Sequence, residues 1–146
     1  MSLRKKIIVS ACLLGRRCRY DGVSKPALHV SEFYKDYEII PFCPEEPVFG
    51  TPRERISVIE MADKSLQIIT DESNRNVTNH LKFEILSFLK ENSDVKEAIL
   101  KSKSPSCGYG TTPILNAQKQ HINMGNGIAA QMFSDRGLHI KSELEV

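Results

Sequence analysis

Short apolar runs alternate along the chain with longer segments of helical periodicity. Six runs rich in aliphatic and aromatic residues predict β-strands, and they cover residues 5–10, 37–42, 56–61, 65–70, 95–101 and 138–142. The third and fourth runs flank Asp63-Lys64, a polar turn that predicts a β-hairpin.

Helical periodicity is clearest over residues 76–92. Apolar side chains recur there mostly at intervals of three or four residues and form one face; they are Val77, Leu81, Ile85, Phe88 and Leu89. Shorter helices are expected at residues 28–35 and 127–136, and Gly137 is a typical C-terminal stop for the second. Segments rich in proline or glycine predict loops, at residues 11–26, 45–55 and 102–112.

The alternation of strands and helices predicts the fold class. A chain of 146 residues is the usual length of one domain, so we expect a single α/β domain over residues 1–146. Its sheet should be mainly parallel and flanked by helices on both faces, in a three-layer, Rossmann-like arrangement.

Composition and charge exclude several classes of protein. The 40% hydrophobic and 26% charged content is ordinary for a globular domain. No apolar run approaches the ~20 residues that span a bilayer, and no secretory signal is visible, so we expect a cytoplasmic protein without a membrane partner. The net charge of +2 gives no general footprint for a nucleic-acid polymer. A local group, Arg16, Arg17 and Arg19, is either a solvated loop or an anion site.

Cysteine is the most informative residue type in this chain. In a reducing compartment, cysteines are more often metal ligands or catalytic groups than disulfide partners. Cys12 follows the first predicted strand, Cys43 follows the second, and Cys107 lies in the loop after the run that ends near residue 101. If these strands are parallel, the three thiols emerge at the carboxyl edge of the sheet, where open α/β sheets bind ligands.

Three convergent thiolates are suited to zinc or to an iron–sulfur cluster. Three ligands leave one coordination position open, which is typical of a catalytic site. The histidines lie outside the cysteine loops and are more readily explained as surface or core residues than as ligands; they are His29, His80, His121 and His139. The spacing of Cys18 from Cys12 fits no common ligand pattern closely, and we assign Cys18 a structural or substrate-pocket role.

Two neighbouring positions could carry proton chemistry. Glu45 follows Cys43 by two residues on a proline-restrained backbone, so it is a candidate general acid or base, although a solvated glutamate is the alternative. The segment from Ser104 to Gly108 offers two hydroxyls but, as bare sequence, is only a turn. Four cations could hold an anionic substrate oxygen or could simply be solvated; they are Arg53, Arg55, Lys101 and Lys103.

Together these motifs resemble the thiouracil desulfidase family of small bacterial proteins. The resemblance covers nearly the whole chain and is carried by Ser10-Ala-Cys12-Leu-Leu-Gly15, Cys18-Arg-Tyr-Asp-Gly22, Cys43-Pro-Glu45, Thr51-Pro-Arg53, Lys103-Ser-Pro-Ser-Cys107-Gly108 and Gly125-Asn-Gly-Ile-Ala-Ala130.

The resemblance implies an enzyme that carries a [4Fe–4S] cluster on Cys12, Cys43 and Cys107. It further implies that Glu45 and Ser104 handle protons, and that the substrate is a thiolated pyrimidine base or a related small thioamide. Sulfur would be removed by non-redox hydrolysis, with the uncoordinated iron acting as a Lewis acid. Such a cluster can be lost when protein is purified in air.

One stretch departs from the family's pattern. The family usually follows Cys-Pro-Glu with an apolar residue and a pair of glycines, whereas this chain has Glu46-Pro-Val-Phe-Gly50. The identity of the substrate therefore does not follow from the resemblance. Two other functions stay open: a non-enzymatic module in which cysteines hold zinc or a cluster for partner binding or for delivery of sulfur or iron, and a thiol enzyme that uses one activated cysteine.

Overall fold

The structure is a computed structural model that describes residues 4–16, 26–50 and 52–146. Its first sheet, sheet A, has the strand order β2-β1-β5-β8, and every neighbouring pair is parallel. The strands of sheet A are β1 (Lys6–Ser10), β2 (Glu38–Phe42), β5 (Glu97–Leu100) and β8 (His139–Ser142). A parallel sheet that is covered on both faces needs strands with continuous apolar runs, and β1 has one in the buried residues Ile7–Val9.

The second sheet, sheet B, is mixed and has the order β4-β3-β6-β7. Only the central pair, β3 and β6, is parallel, whereas the two outer pairs are antiparallel. The strands of sheet B are β3 (Ile56–Glu60), β4 (Leu66–Thr70), β6 (Thr112–Leu115) and β7 (His121–Gly125).

Helices cover both faces of sheet A, as predicted. They are α1 (Leu28–Phe33), α2 (Glu46–Phe49), α3 (Thr78–Glu91) and α4 (Ile128–Asp135). On one face, Ile7 and Val9 pack with Val30 of α1 and with Tyr34. The opposite face contributes to the larger core, which also holds the inward side chains of α3, α4 and sheet B.

The α/β fold with a mainly parallel sheet flanked by helices is confirmed, but several details of the sequence prediction were wrong. The strands form two separate sheets rather than one, and the outer pairs of sheet B are antiparallel. The segment at residues 112–125, for which no strand was predicted, forms the hairpin β6–β7, and residues 46–49, predicted as irregular loop, form the single helical turn α2. Pro47 is tolerated there because it lies in the first turn, where its missing N–H has no intrahelical acceptor. No helix in the described parts of the chain is long and apolar enough to cross a membrane.

Candidate active site

The three predicted cysteine ligands line one cavity at the carboxyl edge of sheet A. Cys12 lies in the 3-10 turn that follows β1, Cys43 directly follows β2, and Cys107 lies in the loop after β5. Because β2, β1 and β5 are adjacent and parallel, their carboxyl ends deliver these loops to the same place. The cavity has a volume of about 300 Å³, and its lining also includes the predicted Glu45 and Ser104.

Cys107 interacts electrostatically with the other two thiols of the cavity. Cys107 is buried, with 5% of its surface exposed, and burial is the main cause that raises its pKa above the ordinary value. The negative charges of Cys43, Glu45 and Cys12 raise the pKa of Cys107 further. Three thiolates gathered here would therefore demand a bound positive group that offsets their burial and mutual repulsion.

That demand and the donor set fit an iron–sulfur cluster. Such clusters are held by cysteine thiolates, and their iron atoms supply the missing positive charge. In the described ranges, no three histidine, cysteine, aspartate or glutamate side chains converge as the ligands of a single ion would. A cluster does not require its ligands to converge on one ion, because each cysteine binds a different iron atom. Cys18 lies outside the described residues.

Glu45 is held by a different donor at each of its carboxylate oxygens. The Ser106 hydroxyl donates to Oε2 over 2.6 Å, and a guanidinium N–H of Arg53 approaches Oε1 at 3.3 Å. The side chains of Arg53 and Glu45 are only 6% and 12% exposed, so this is a buried ion pair rather than a surface one. Glu45 is thus not the solvated loop glutamate that the sequence left as an alternative.

Ser104 is placed differently from Glu45. Its Oγ accepts hydrogen bonds from the backbone N–H groups of Ser106 (3.3 Å) and Cys107 (3.1 Å), which shapes the turn that carries Cys107. The Ser104 and Ser106 hydroxyls lie 3.4 Å apart, so Ser106 stands between the two predicted proton-handling groups. Ser106 is 1% exposed and lies 3.8 Å from the Cys107 sulfur. The sequence of the turn contains this second hydroxyl, but nothing in that sequence assigns it a role.

The loop that carries Cys107 is packed tightly against the start of α4. The N–H of Gly127 donates to the Gly108 carbonyl (2.7 Å), and the N–H of Ala129 donates to the Ser106 carbonyl (2.7 Å). A Cβ on Gly127 would overlap the Ser106 carbonyl group, and a Cβ on Gly108 would overlap the Thr112 hydroxyl. Glycine at positions 108 and 127 is therefore required by close packing.

The predicted cation Lys101 is held by a buried carboxylate that the sequence analysis missed. Glu143 accepts hydrogen bonds from the backbone N–H and the hydroxyl of Ser102, both at 2.8 Å, and pairs with the Lys101 ammonium at 3.2 Å. On the other side, the N–H of Lys101 donates to the Ser10 hydroxyl at 2.9 Å. The end of β5 is thus fixed to the ends of β1 and β8. Nothing in the local sequence around Glu143 distinguishes it from a surface glutamate.

Fold and site together define a small α/β protein in which three of the four cysteines follow adjacent parallel strands and line one cavity beside a buried carboxylate. The comparisons with known proteins are more specific. The chain belongs to the 2-thiouracil desulfurase family, whose sequence model matches residues 7–145. This match confirms the family inferred from the motifs and, with it, the prediction of an enzyme.

Two similar proteins extend over nearly the whole chain. The uncharacterized protein YbbK of Bacillus subtilis (strain 168) is 31% identical over 150 residues, which cover 96% of this chain and 97% of YbbK. The solved structure of the [4Fe-4S]-dependent thiouracil desulfidase TudS is also 31% identical and superposes with a TM-score of 0.73. That match covers 98% of this chain and 93% of TudS. The roles of Cys12, Cys43, Cys107, Glu45 and Ser104 stay predictions.

Proposed function

We propose that this enzyme removes sulfur from a thiolated pyrimidine base, or from a related small thioamide, by hydrolysis that depends on a [4Fe–4S] cluster. The observation that carries the proposal is the convergence of Cys12, Cys43 and Cys107 on one cavity with Glu45. Support comes from the match to TudS, which is a [4Fe-4S]-dependent thiouracil desulfidase. The proposed ligands are the three cysteines.

The reaction exchanges a C=S bond for a C=O bond. Water supplies the oxygen, and its two protons leave with the sulfur as hydrogen sulfide, so no electrons are gained or lost. When bound, the cluster would supply a Lewis-acidic iron without a cysteine ligand for the sulfur atom of the substrate. The protein's own side chains must supply the remaining requirements. These are a base that accepts a proton from water and a group that passes a proton toward the sulfur.

Glu45 is suited to be the base. Each of its oxygens is held by one donor, and a carboxylate has lone pairs for further hydrogen bonds, so it can accept a proton from the attacking water. Ser104 uses its oxygen as an acceptor for two backbone N–H groups, which leaves its own proton to donate. In this mechanism Glu45 takes a proton from water, and the Ser104 hydroxyl assists its transfer toward the departing sulfur.

The test begins with protein purified or reconstituted without oxygen. We expect about four irons and four acid-labile sulfides per chain, as in a cuboidal cluster, and conversion of thiouracil to uracil with release of hydrogen sulfide. Stoichiometric zinc without iron, together with no turnover of any thiolated base, would contradict the proposal and favour a metal-binding module.

Variants assign the roles. Cys43→Ala should lose both iron and activity, whereas Cys18→Ala, the matched control, should keep its iron because Cys18 is not a proposed ligand. Glu45→Gln should keep the cluster but lose turnover. A Glu45→Gln enzyme with normal turnover would refute the acid–base role while leaving the cluster proposal intact.

A further inference from the structure

The carboxylate of Glu45 is fixed from two opposite parts of the structure. Oε2 is bound by Ser106 from the loop after β5, and Oε1 is bound by Arg53 from the segment before β3. A carboxyl group attached to a short loop would otherwise rotate freely about its side-chain bonds. Two donors, one at each oxygen, leave it a single orientation in the cavity.

Besides its contact with Glu45, Arg53 binds the backbone at the end of α2. Its Nη1 donates to the Gly50 carbonyl at 2.8 Å, so one guanidinium binds the residue before α2 and the residue after it. The helical turn between them is closed by the N–H of Phe49, which donates to the Glu45 carbonyl at 2.9 Å. Arg53 therefore fixes the whole turn that presents Glu45, and not only the carboxylate.

Folding stability alone does not explain this arginine. The Nε of Arg53 is buried and has no hydrogen-bond partner, the one such side-chain atom in the described residues. A buried donor without an acceptor costs folding free energy, and its presence in a native structure calls for a specific reason. The placement of a reactive carboxylate is such a reason.

We infer that Arg53 is a positioning residue that sets the orientation in which Glu45 accepts a proton from the attacking water. This inference rests on the proposed function and adds to it a residue that acts through Glu45. A lysine cannot replace Arg53, because an ammonium is a compact charge and lacks the planar fork that reaches two acceptors from one position.

Kinetics of Arg53→Lys test the inference. We expect kcat to fall about 10- to 100-fold, the size expected for loss of one charge-assisted hydrogen bond, with little change in KM. Iron and sulfide content should match the wild type, because no proposed ligand changes. The matched control is Arg136→Lys on the exposed end of α4, which should behave as the wild type in every measurement.

Chemical rescue separates positioning from a general loss of structure. Added guanidinium, at concentrations far below those that unfold the protein, should raise the turnover of Arg53→Ala and leave the wild type and Arg136→Lys unchanged. Methylammonium should not replace it. Equal stimulation by both cations, or by neither, would overturn the inference, as would an Arg53→Lys enzyme with wild-type kcat.

A structural comparison tests the positioning of Glu45 independently of turnover. A wild type that converts no thiolated base would count against the proposed function alone. Crystal structures of the wild type and Arg53→Lys should show the Glu45 carboxylate against Ser106 in the first and turned away from it in the second. If Glu45 keeps its contact with Ser106 in the lysine variant, Arg53 does not position it and the inference fails.

Discussion

Ser106 donates a hydrogen bond of 2.6 Å to Glu45, a residue 61 positions away in the sequence. The bond joins the loop after β5 to the turn after β2, so it connects the two strands that flank β1 in sheet A. Ser106 also lies directly beside Cys107 in the chain. The hydrogen bond therefore connects the proposed base, Glu45, to the residue that precedes a proposed cluster ligand, Cys107.

Replacement of Ser106 by alanine should lower kcat by about tenfold and leave the iron content unchanged. The variant removes the shortest hydrogen bond of the Glu45 carboxylate, and a hydrogen bond to a charged group contributes about 1.5–3 kcal/mol. Steady-state kinetics and iron analysis on the same preparation check both expectations. Ser93→Ala, an exposed serine after α3, is the control and should have no effect. Loss of iron in parallel with kcat would assign Ser106 to the cluster rather than to Glu45.

The convergence of the cysteines could be predicted from the sequence because it depends on local signals. Each cysteine comes after a recognisable strand, and parallel strands place their following loops at one edge. The predictions for Cys12, Cys43 and Cys107 needed only that the strands be parallel, which the structure shows.

The contacts that complete the site could not be predicted in the same way. The pairs Arg53–Glu45, Ser106–Glu45 and Ser102–Glu143 join residues by tertiary packing, and nothing near them in the sequence marks their partners. The β6–β7 hairpin escaped prediction for a related reason. Thr112–Leu115 contains a proline, and the side chains of β7 are nearly all exposed, so neither strand has an alternating pattern.

Glu143→Gln should destabilise the protein at neutral pH and much less in acid. Burial opposes ionisation of Glu143, but the hydrogen bonds from Ser102 and the contact with Lys101 outweigh it, so its pKa lies below the ordinary value of 4.5. A carboxyl group with a lowered pKa in the folded state stabilises fully at pH values well above 4.5, and this contribution is lost as the pH falls through the lowered pKa.

Urea unfolding at several pH values measures this effect. At pH 7 the free energy of unfolding should fall by about 1–3 kcal/mol, the cost of leaving a buried hydrogen-bonding group unsatisfied. The difference between Glu143→Gln and the wild type should narrow steadily below pH 4.5. Glu91→Gln, on an exposed position of α3, should show no such pH-dependent difference. A difference that stays constant with pH would mean that packing, and not the charge, accounts for the loss.

Phe133→Ala should destabilise the fold strongly and disturb the cavity. Phe133 is fully buried, and its ring lies 5.0 Å from that of Phe42, the residue before Cys43. Truncation of a buried phenylalanine costs about 3–5 kcal/mol, because burial is lost and a hole remains. Phe83→Ala is the matched control: Phe83 is 69% exposed, and its truncation should change stability by less than about 0.5 kcal/mol. Equal effects of the two substitutions in urea unfolding would contradict the assigned core.

Gly127→Ala should separate α4 from the loop that carries Cys107. Gly127 has φ −65° and ψ 162°, a conformation open to any residue, so the cost of alanine there is steric alone. The added methyl group would overlap the Ser106 carbonyl group and the Cys107 nitrogen, which are backbone atoms and cannot rotate away. We expect a loss of about 1–3 kcal/mol in unfolding free energy, together with a lower iron content after reconstitution. Gly125→Ala is the control, because its methyl group would meet only the Ile114 side chain. A Gly127→Ala protein with unchanged stability and a full complement of iron would show that this helix contact does not position Cys107.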